Sequence, residues 1–465
     1  NYFNESDTGL ATKLLTSALH LTELNEALKI KKKSSLKNSP KSEYVPKVWK
    51  NRLELFRHGS DAWMKLIEIR SLLLSPEEHV QSCLKLISNL RKERQWRLIE
   101  SYFDRLFSSI KLPEVLLASI KIKYARGQFH SAISLLSCYN SYIDGQKTEM
   151  DSLFEEIAYP SPKLHAKFLR IQATVLYENA GRITYLIGNA LEDAKKCFQR
   201  SLELNNTDYR SWSGLAYVSS KMINNSTENS VKVALATDAI ISFFKAAQLH
   251  PESSLEFLCQ LLSHFFQYGD EVGNEVFMYV EKITSLPSYA ISQVVPQLVG
   301  NIAHSSEKVR NVVRSMLECF GISHFESVFY SLNFSTSTEP TTIIKSSKER
   351  NKEMFKSSMA NTIMQKIQLP HTQKYQDALL FVDGLRKASI NWFEQWITII
   401  ELALRFISID DKKTLQKHLN DQFDALKKPN SDYDSLFIKT FSVTINQCRE
   451  LLAKNQIDQL RSTLI

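Results

Sequence analysis

The sequence contains few residues that break helices. Its 465 residues include 12 glycines and 12 prolines, whereas 43% of the residues are hydrophobic and 23% are charged. Glycine and proline destabilise helix interiors, because glycine loses more backbone entropy on folding and proline lacks a hydrogen-bond donor. The composition therefore favours an ordered, mostly helical protein over a β-sandwich or a disordered chain. At this length, about two to four packing units are expected.

Closely spaced cysteines are also absent. The six cysteines lie at least 55 residues apart, and the shortest interval runs from Cys83 to Cys138. Zinc sites take ligands only a few residues apart, and disulfide frameworks are typical of short secreted chains. The spacing predicts free, buried thiols in a reducing compartment and therefore a cytoplasmic location.

The sequence has neither a long apolar run nor a strong excess of charge. Its longest uncharged stretch, residues 283–306, includes Pro287 and Pro296, which together with its polar residues predict no membrane insertion. The net charge is +8, and much of it comes from lysines between Lys29 and Lys50. We interpret these lysines as a solvated loop and predict no nucleic-acid partner. A nucleic-acid or membrane patch is the alternative.

The spacings that catalytic sites require are missing as well. The sequence has no glycine-rich phosphate loop, no His-Glu-x-x-His motif, no nucleophile elbow and no kinase catalytic loop. The run Phe381–Gly384 resembles the Asp-Phe-Gly of kinases, but it lies within a helix-forming segment. The histidines are scattered, which fits packed or capping roles better than metal ligation. We therefore predict no catalytic residue and no metal site in this chain.

A repeat of paired helices occupies the middle of the chain. The pattern Ala-x-x-x-Phe occurs at Ala194–Phe198 and again 45 residues later at Ala239–Phe243. Small residues at a helix crossing and aromatic residues in the groove are typical of tetratricopeptide pairs, whose period is about 34 residues. A polar insert at residues 224–230 is predicted to be the loop that adds length. The predicted fold is all-α, with a tetratricopeptide or HEAT-like α-solenoid followed by an antiparallel helical bundle.

These patterns divide the chain into four parts. Polar stretches and a change to longer amphipathic helices set the boundaries. The parts are an N-terminal helix and basic linker at 1–46, the α-solenoid at 47–335, a linker and connecting helix at 336–374, and a four-helix bundle at 375–465. Because the first residue is not Met and the fourth bundle helix is cut at residue 465, we expect a segment of a longer chain.

One helix of the bundle, at residues 389–409, has a wider apolar surface than a single packing partner needs. At about 100° per residue, its polar residues form one narrow stripe, which consists of Glu394, Thr398, Glu401, Arg405 and Ser408. The face opposite the stripe is predicted to be core and consists of Trp392, Trp396, Ile399, Ala403 and Phe406. A shoulder beside the stripe, formed by Phe393, Ile397, Ile400 and Leu404, is a candidate docking surface. The alternative is that a neighbouring helix covers this apolar shoulder.

The paired tryptophans belong to a pattern that resembles a known family. The helix with Trp392 and Trp396, then a short helix, then a helix containing Cys448 and Arg449, is similar to the rapamycin-binding bundle of target-of-rapamycin (TOR) kinases. Further matches to the FAT region of these kinases lie upstream, at residues 48–53, 70–78 and 293–298. The chain departs from the family at Cys83 and Ile291, where Trp is usual.

The resemblance implies a function. A FAT solenoid would cradle a serine/threonine kinase domain, and the bundle would overhang the active site and recruit substrates in growth and nutrient signalling. ATP and Mg would belong to that kinase domain, so this segment would be a non-catalytic scaffold. The implied partners are its own kinase domain, a Raptor-type or Rictor-type adaptor, a WD40 propeller subunit and protein substrates. The resemblance also implies an inositol polyphosphate in the FAT region and recruitment to endomembranes through partners.

The same resemblance addresses drug binding. It places Leu404 where sensitive relatives have a small Ser, Ser408 where they have Phe, and Leu464 where they have Trp, while Ile400 keeps an apolar residue. A larger side chain and two lost aromatic surfaces predict weak or no binding of rapamycin with its immunophilin.

Two other assignments remain open: the same region of another phosphatidylinositol-3-kinase-related kinase, and a free-standing tetratricopeptide scaffold. Sequence following residue 465 would distinguish them.

Overall fold

The computed structural model describes residues 5–34, 48–49, 52, 59–75, 77–147, 149–183, 189–337, 347–389, 392–409, 411–426, 429 and 432–464. Within these ranges every regular element is a helix and no strand occurs. The predicted all-α class, a solenoid followed by a bundle, is confirmed. Contacts divide the chain into two units, Asn1–Met316 and Leu317–Ile465.

The first unit is a series of helices that pack on their neighbours in sequence. Its helices are α1 (Glu5–Ser34), α2 (Ser60–Arg70), α3 (Val80–Lys92), α4 (Trp96–Phe107), α5 (Pro113–Ala125), α6 (Phe129–Ile143), α7 (Asp151–Phe154), α8 (Pro162–Glu178), α9 (Ala180–Ile183), α10 (Ala190–Leu204), α11 (Tyr209–Asn225), α12 (Asn229–Leu249), α13 (Ser254–Tyr268), α14 (Asn274–Glu281), α15 (Ser288–Ser292), α16 (Val295–Gly300) and α17 (Glu307–Ser323), of which α17 continues into the second unit.

The repeated Ala-x-x-x-Phe pattern lies at the helix crossings. Ala194 and Ala239 are fully buried, and Phe198 and Phe243 are almost completely buried beside them. A Cβ atom at Gly214 of α11 would lie 2.3 Å from the Phe198 ring of α10, so only glycine fits this crossing. Close approach of paired helices through small residues is the packing that the sequence predicts.

Two local predictions need correction. The loop predicted at residues 224–230 is present but shorter, because α11 continues to Asn225 and α12 begins at Asn229, which leaves residues 226–228 between the two helices. The thiols are free, but Cys319 is exposed and only Cys83 and Cys448 are buried. Periodicity does not place the ends of these two helices, because Asn224, Asn225, Asn229 and Ser230 are all polar and carry no apolar pattern.

The second unit contains the bundle. Its helices are the end of α17, α18 (Phe325–Ser337), α19 (Ser347–Gln368), α20 (Thr372–Ser389), α21 (Trp392–Ser408), α22 (Lys412–Ala425), α23 (Asp432–Ala453) and α24 (Ile457–Leu464). The four domain boundaries set from the sequence stay predictions. No helix in the described ranges is long and apolar enough to cross a membrane.

The core of the bundle is built around Trp396. Its ring stacks between Phe423 of α22 and Phe437 of α23, with ring centroids 5.7 and 5.9 Å away. Ala403, which lies on the same face of α21 as Trp396, is fully buried. Aromatic stacking on both sides fixes the rotation of α21, and this rotation decides which of its side chains reach the surface.

Candidate functional site

The sequence makes α21 a regular helix with distinct faces. The segment Trp392–Ser408 contains no glycine or proline to interrupt it. Thr398, Glu401, Arg405 and Ser408 of the polar stripe are exposed. Trp392, Trp396 and Ala403 are buried on the opposite face, and Ile399 and Phe406 are partly buried there. The side chain of Glu394 lies outside the described residues.

The apolar shoulder of α21 borders a cleft with a volume of about 190 Å³. Phe393, Ile397 and Ile400 form one wall. The remaining lining comes from Trp396, from Phe423 of α22, from Phe437, Phe441, Thr444, Ile445 and Cys448 of α23, and from Thr463 and Leu464 of α24. We call this the bundle cleft. The three helices that follow α21 therefore all contribute to the cleft beside the shoulder.

The structure brings together four of the six docking residues expected from the sequence. Phe393, Ile397, Ile400 and Leu464 line the bundle cleft. Ile397 is 60% exposed at its rim, whereas Leu464 is 8% exposed. The other two lie elsewhere on α21: Leu404 is half-buried against the bundle core, and Ser408 is exposed with its hydroxyl donating to the Arg405 carbonyl at 2.6 Å. The docking role of all six stays a prediction.

The wall of the cleft that α23 contributes was not among the docking residues predicted from the sequence. Phe437, Phe441, Ile445 and Cys448 follow one another at spacings of four, four and three residues, the spacing of one helical face. This spacing is visible in the sequence and predicts an apolar face of α23. It does not indicate which helix the face contacts, because the partner is distant in sequence. The ring of Phe393, more than forty residues upstream, lies 5.1 Å from that of Phe437.

The lining of the bundle cleft carries no charged side chain. Its one ionisable group is Cys448, and burial raises the pKa of that thiol, so it stays protonated at neutral pH. The other polar side-chain groups in the lining are the hydroxyls of Thr444 and Thr463 and the indole N–H of Trp396. Such a cleft favours an apolar group flanked by a few hydrogen bonds over any ion.

A second concave site lies in the first unit and is basic. A cavity of about 260 Å³ is lined by Lys85 and Arg91 of α3, Lys121 of α5, and Lys167 of α8. Glu114 is the only carboxylate in the lining, and the floor is apolar and consists of Leu84, Ile87, Leu117, Ala118 and Leu164. We call this the basic cavity. In the described parts of the chain, none of the four cationic side chains has an ion-pair partner.

The cations of the basic cavity act on one another. Burial, followed by the nearby charges of Lys167 and Arg91, lowers the pKa of Lys121 to about 8. Burial and then Arg170 and Arg210 lower the pKa of Lys167. Like charges held together in partly buried positions disfavour their own protonated forms, and a bound anion would remove this penalty. No local sequence pattern indicates this site, because its cations come from three helices.

No group of three or more His, Cys, Asp or Glu side chains in the described ranges is placed to hold a metal ion. The histidines instead make packing contacts and hydrogen bonds. His165 is buried in α8. His264 makes a hydrogen bond of 2.8 Å with the Ser220 hydroxyl.

Comparisons with known proteins match both units. A family model described as the FAT domain matches residues 7–263, and one described as the FKBP12-rapamycin binding domain matches residues 385–463. Serine/threonine-protein kinase tor1 of Schizosaccharomyces pombe is 24% identical over 95% of this chain, which spans 19% of that protein. Serine/threonine-protein kinase TOR2 of Saccharomyces cerevisiae is 20% identical over 95% of the chain and 20% of its own length. Serine/threonine-protein kinase mTor of Drosophila melanogaster is 21% identical over 78% of the chain and 15% of its own length.

Proposed function

The chain belongs to the FAT-domain family and combines the FAT and rapamycin-binding regions of a TOR protein, and we propose on this basis that it scaffolds a serine/threonine kinase domain carried elsewhere in the same polypeptide. The matched relatives are TOR kinases, which favours this assignment over another kinase of the superfamily or a free-standing tetratricopeptide scaffold. In this proposal ATP and Mg bind the kinase domain, and a Raptor-type or Rictor-type adaptor and a WD40 propeller subunit complete a cytoplasmic complex that partners recruit to endomembranes.

Within such a protein the bundle recruits substrates. The observation that supports this role is the bundle cleft, an uncharged concave surface with Ile397 60% exposed at its rim. A short amphipathic segment of a substrate would place one or two apolar side chains in the cleft and present its phosphorylation site to the kinase domain. Remote docking of this kind raises the effective concentration of the substrate without altering the chemical step.

The test is a pair of variants in the full-length kinase. Ile397→Ser removes apolar surface from the cleft rim, and Val443→Ser is the matched control, because Val443 is 78% exposed on α23 and does not line the cleft. We expect Ile397→Ser to raise KM for protein substrates about fivefold, equivalent to roughly 1 kcal/mol, and to leave kcat/KM for a short unstructured peptide unchanged. Equal KM values for the two variants would refute substrate docking in the cleft.

We also propose that the basic cavity binds a polyphosphate anion of the inositol polyphosphate type. Lys85, Arg91, Lys121 and Lys167 outnumber the single carboxylate of Glu114, and they converge on one concave surface. Phosphate groups accept charge-assisted hydrogen bonds from Lys and Arg. A bound anion would therefore join α3, α5 and α8 and stabilise the solenoid through its affinity for the folded state.

Titration with inositol hexakisphosphate tests this second proposal. Lys121→Gln combined with Lys167→Gln should weaken binding at least tenfold, whereas Lys123→Gln, on the same helix but outside the cavity, should have little effect. Binding should also weaken with increasing salt, as expected for contacts between charges. Unchanged affinity in the double variant would place the anion elsewhere.

A further inference from the structure

Lys121 belongs to the central helix of the basic cavity. This helix, α5, packs on both α3 and α8. These two helices supply the other cations of the lining, which are Lys85 and Arg91 from α3 and Lys167 from α8. In the described parts of the chain, Lys121 has no ion-pair partner. Lys121 therefore meets positive charges from two neighbouring helices at once.

The carboxylates near the cavity do not neutralise Lys121. Glu114, in the first turn of α5, lies about two helical turns before Lys121, and Asp208 pairs with Arg170 at 2.9 Å. Both carboxylates partly offset the lowering of the pKa of Lys167. The charges that act on Lys121 are all positive and belong to Lys167, Arg91, Arg170 and Arg210.

A further helix that packs on α5 is α6, and it brings no opposite charge. It contains no Asp, Glu, Lys or Arg, and its titratable side chains are His130, Cys138, Tyr139 and Tyr142. His130 is exposed, and burial raises the pKa of Tyr139, so this phenol stays protonated. The surroundings of Lys121 therefore leave the repulsion between the cations unbalanced.

A lysine responds to this crowding, whereas an arginine does not. Burial and nearby positive charge disfavour the protonated amine, but a guanidinium keeps its charge at any ordinary pH. Burial, followed by the charges of Lys167 and Arg91, lowers the pKa of Lys121 to about 8 from an ordinary value of 10.5. Without a bound anion, the amine therefore loses its proton as the pH rises through this value, while Arg91 stays charged.

A bound anion acts in the opposite direction. Phosphate groups among the four cations favour the protonated form of each amine, because opposite charges that lie close together stabilise each other. The ammonium form of Lys121 can donate charge-assisted hydrogen bonds to phosphate oxygens, which the neutral amine cannot do. Each of the two ligands, the anion and the proton, therefore strengthens binding of the other by the same factor.

We propose that anion binding in the basic cavity is coupled to the uptake of one proton by Lys121, which makes occupancy of the cavity sensitive to pH. The proton comes from solvent and converts the neutral amine to an ammonium group as the anion binds, and it returns to solvent when the anion leaves. Affinity is then highest at and below neutral pH and falls as the pH rises. This coupling rests on the proposed polyphosphate site and adds the regulation of that site.

Calorimetric titration of the full-length protein with inositol hexakisphosphate tests the coupling. Lys121→Arg keeps a positive charge that does not titrate, and protons exchanged by the ligand itself cancel when two proteins are compared at the same pH. The protonated fraction of Lys121 falls from about nine tenths at pH 7 to about one tenth at pH 9, so the affinity of the unchanged protein relative to Lys121→Arg should fall about tenfold. At pH 9 the unchanged protein should also take up about one proton more than Lys121→Arg, measured in two buffers of different ionisation enthalpy.

Two further variants serve as controls. Lys121→Gln also lacks a titrating group, so it should show the same relative change of about tenfold even if arginine does not fit the cavity. Lys123→Arg, on α5 but outside the lining, should match the unchanged protein at every pH. No binding by the unchanged protein at pH 7 would refute the polyphosphate site and the coupling with it. Binding whose affinity ratio to either Lys121 variant stays constant from pH 7 to 9 would overturn the coupling and leave the site intact.

Discussion

Arg70 and Glu23 form a buried, bidentate ion pair between α2 and α1. The side chains are 2% and 0% exposed. The guanidinium also donates to the Ser82 hydroxyl and to the Trp49 carbonyl, each at 3.0 Å. These four hydrogen bonds reach acceptors in α1, in α3 and at Trp49, so this one side chain ties three parts of the chain to α2.

Breaking this pair should be costly. Arg70→Met removes both hydrogen bonds that the buried Glu23 carboxylate accepts from Arg70 and leaves it only Arg52, whose Nη1 lies 3.9 Å from Oε1. Losing the main partner of a buried charge typically destabilises a protein by about 3–5 kcal/mol. Replacing both residues, as in Glu23→Leu with Arg70→Met, should cost less than the single change, because no charge stays buried. Arg126→Met is the control, since Arg126 pairs with Glu100 at an exposed site, and such pairs contribute about 1 kcal/mol or less. Urea unfolding gives the free energy of unfolding of the three variants. A double variant that is less stable than Arg70→Met would contradict this account.

The two faces of α21 should respond differently to truncation. Trp396→Ala removes a ring that is stacked on both sides, and core Trp truncation costs about 3–5 kcal/mol. Ile397→Ala, one residue later but 60% exposed, should cost less than about 1 kcal/mol. Denaturant melts of the protein compare the two changes. The reverse order would show that α21 is rotated from its position here.

Stability should depend on pH through Lys121. Burial and the charges of Lys167 and Arg91 lower the pKa of Lys121 to about 8 in the folded protein, against an ordinary value of 10.5. Between these pH values the unfolded state binds more protons than the folded state, so the contribution of Lys121 to stability rises with pH. Urea midpoints at pH 7.5, 9 and 10 should increase less in Lys121→Met than in Lys123→Met. Parallel pH profiles for both variants would contradict a depressed pKa at Lys121.

Rapamycin with its immunophilin should bind this protein weakly. Leu404 is half-buried against the bundle core, so its side chain occupies space at the position where the resemblance implies a small residue, and Ser408 offers no aromatic surface. Extra bulk typically costs about 1–3 kcal/mol, and together these changes should reduce affinity at least a hundredfold, at about 1.4 kcal/mol per decade. Leu404→Ser with Ser408→Phe should recover part of the affinity. Nanomolar binding by the unchanged protein would disprove the steric argument.

In the bundle, the faces of a helix could be predicted from the sequence, but the contacts between helices could not. The polar and buried faces of α21 follow from a period of 3.6 residues, and the structure has the expected Trp392, Trp396 and Ala403 in the core. The bundle cleft could not be predicted in the same way, because Phe437 and Phe441 belong to a helix whose packing partner no local sequence pattern specifies. Leu404 and Ser408 share the helix with Ile397 but not the cleft, since the cleft borders only the N-terminal half of α21.

Residues close together along the chain are enough to predict the helices, their faces and the family. Periodicity places Ala194 and Phe198 on one side of a helix whatever surrounds it. Which distant side chains meet depends instead on how the helices pack in three dimensions. Lys85, Lys121 and Lys167 converge because three helices pack side by side. Burial of the apolar cores beneath the cavity stabilises this packing, and the free energy of that burial outweighs the repulsion between the like charges.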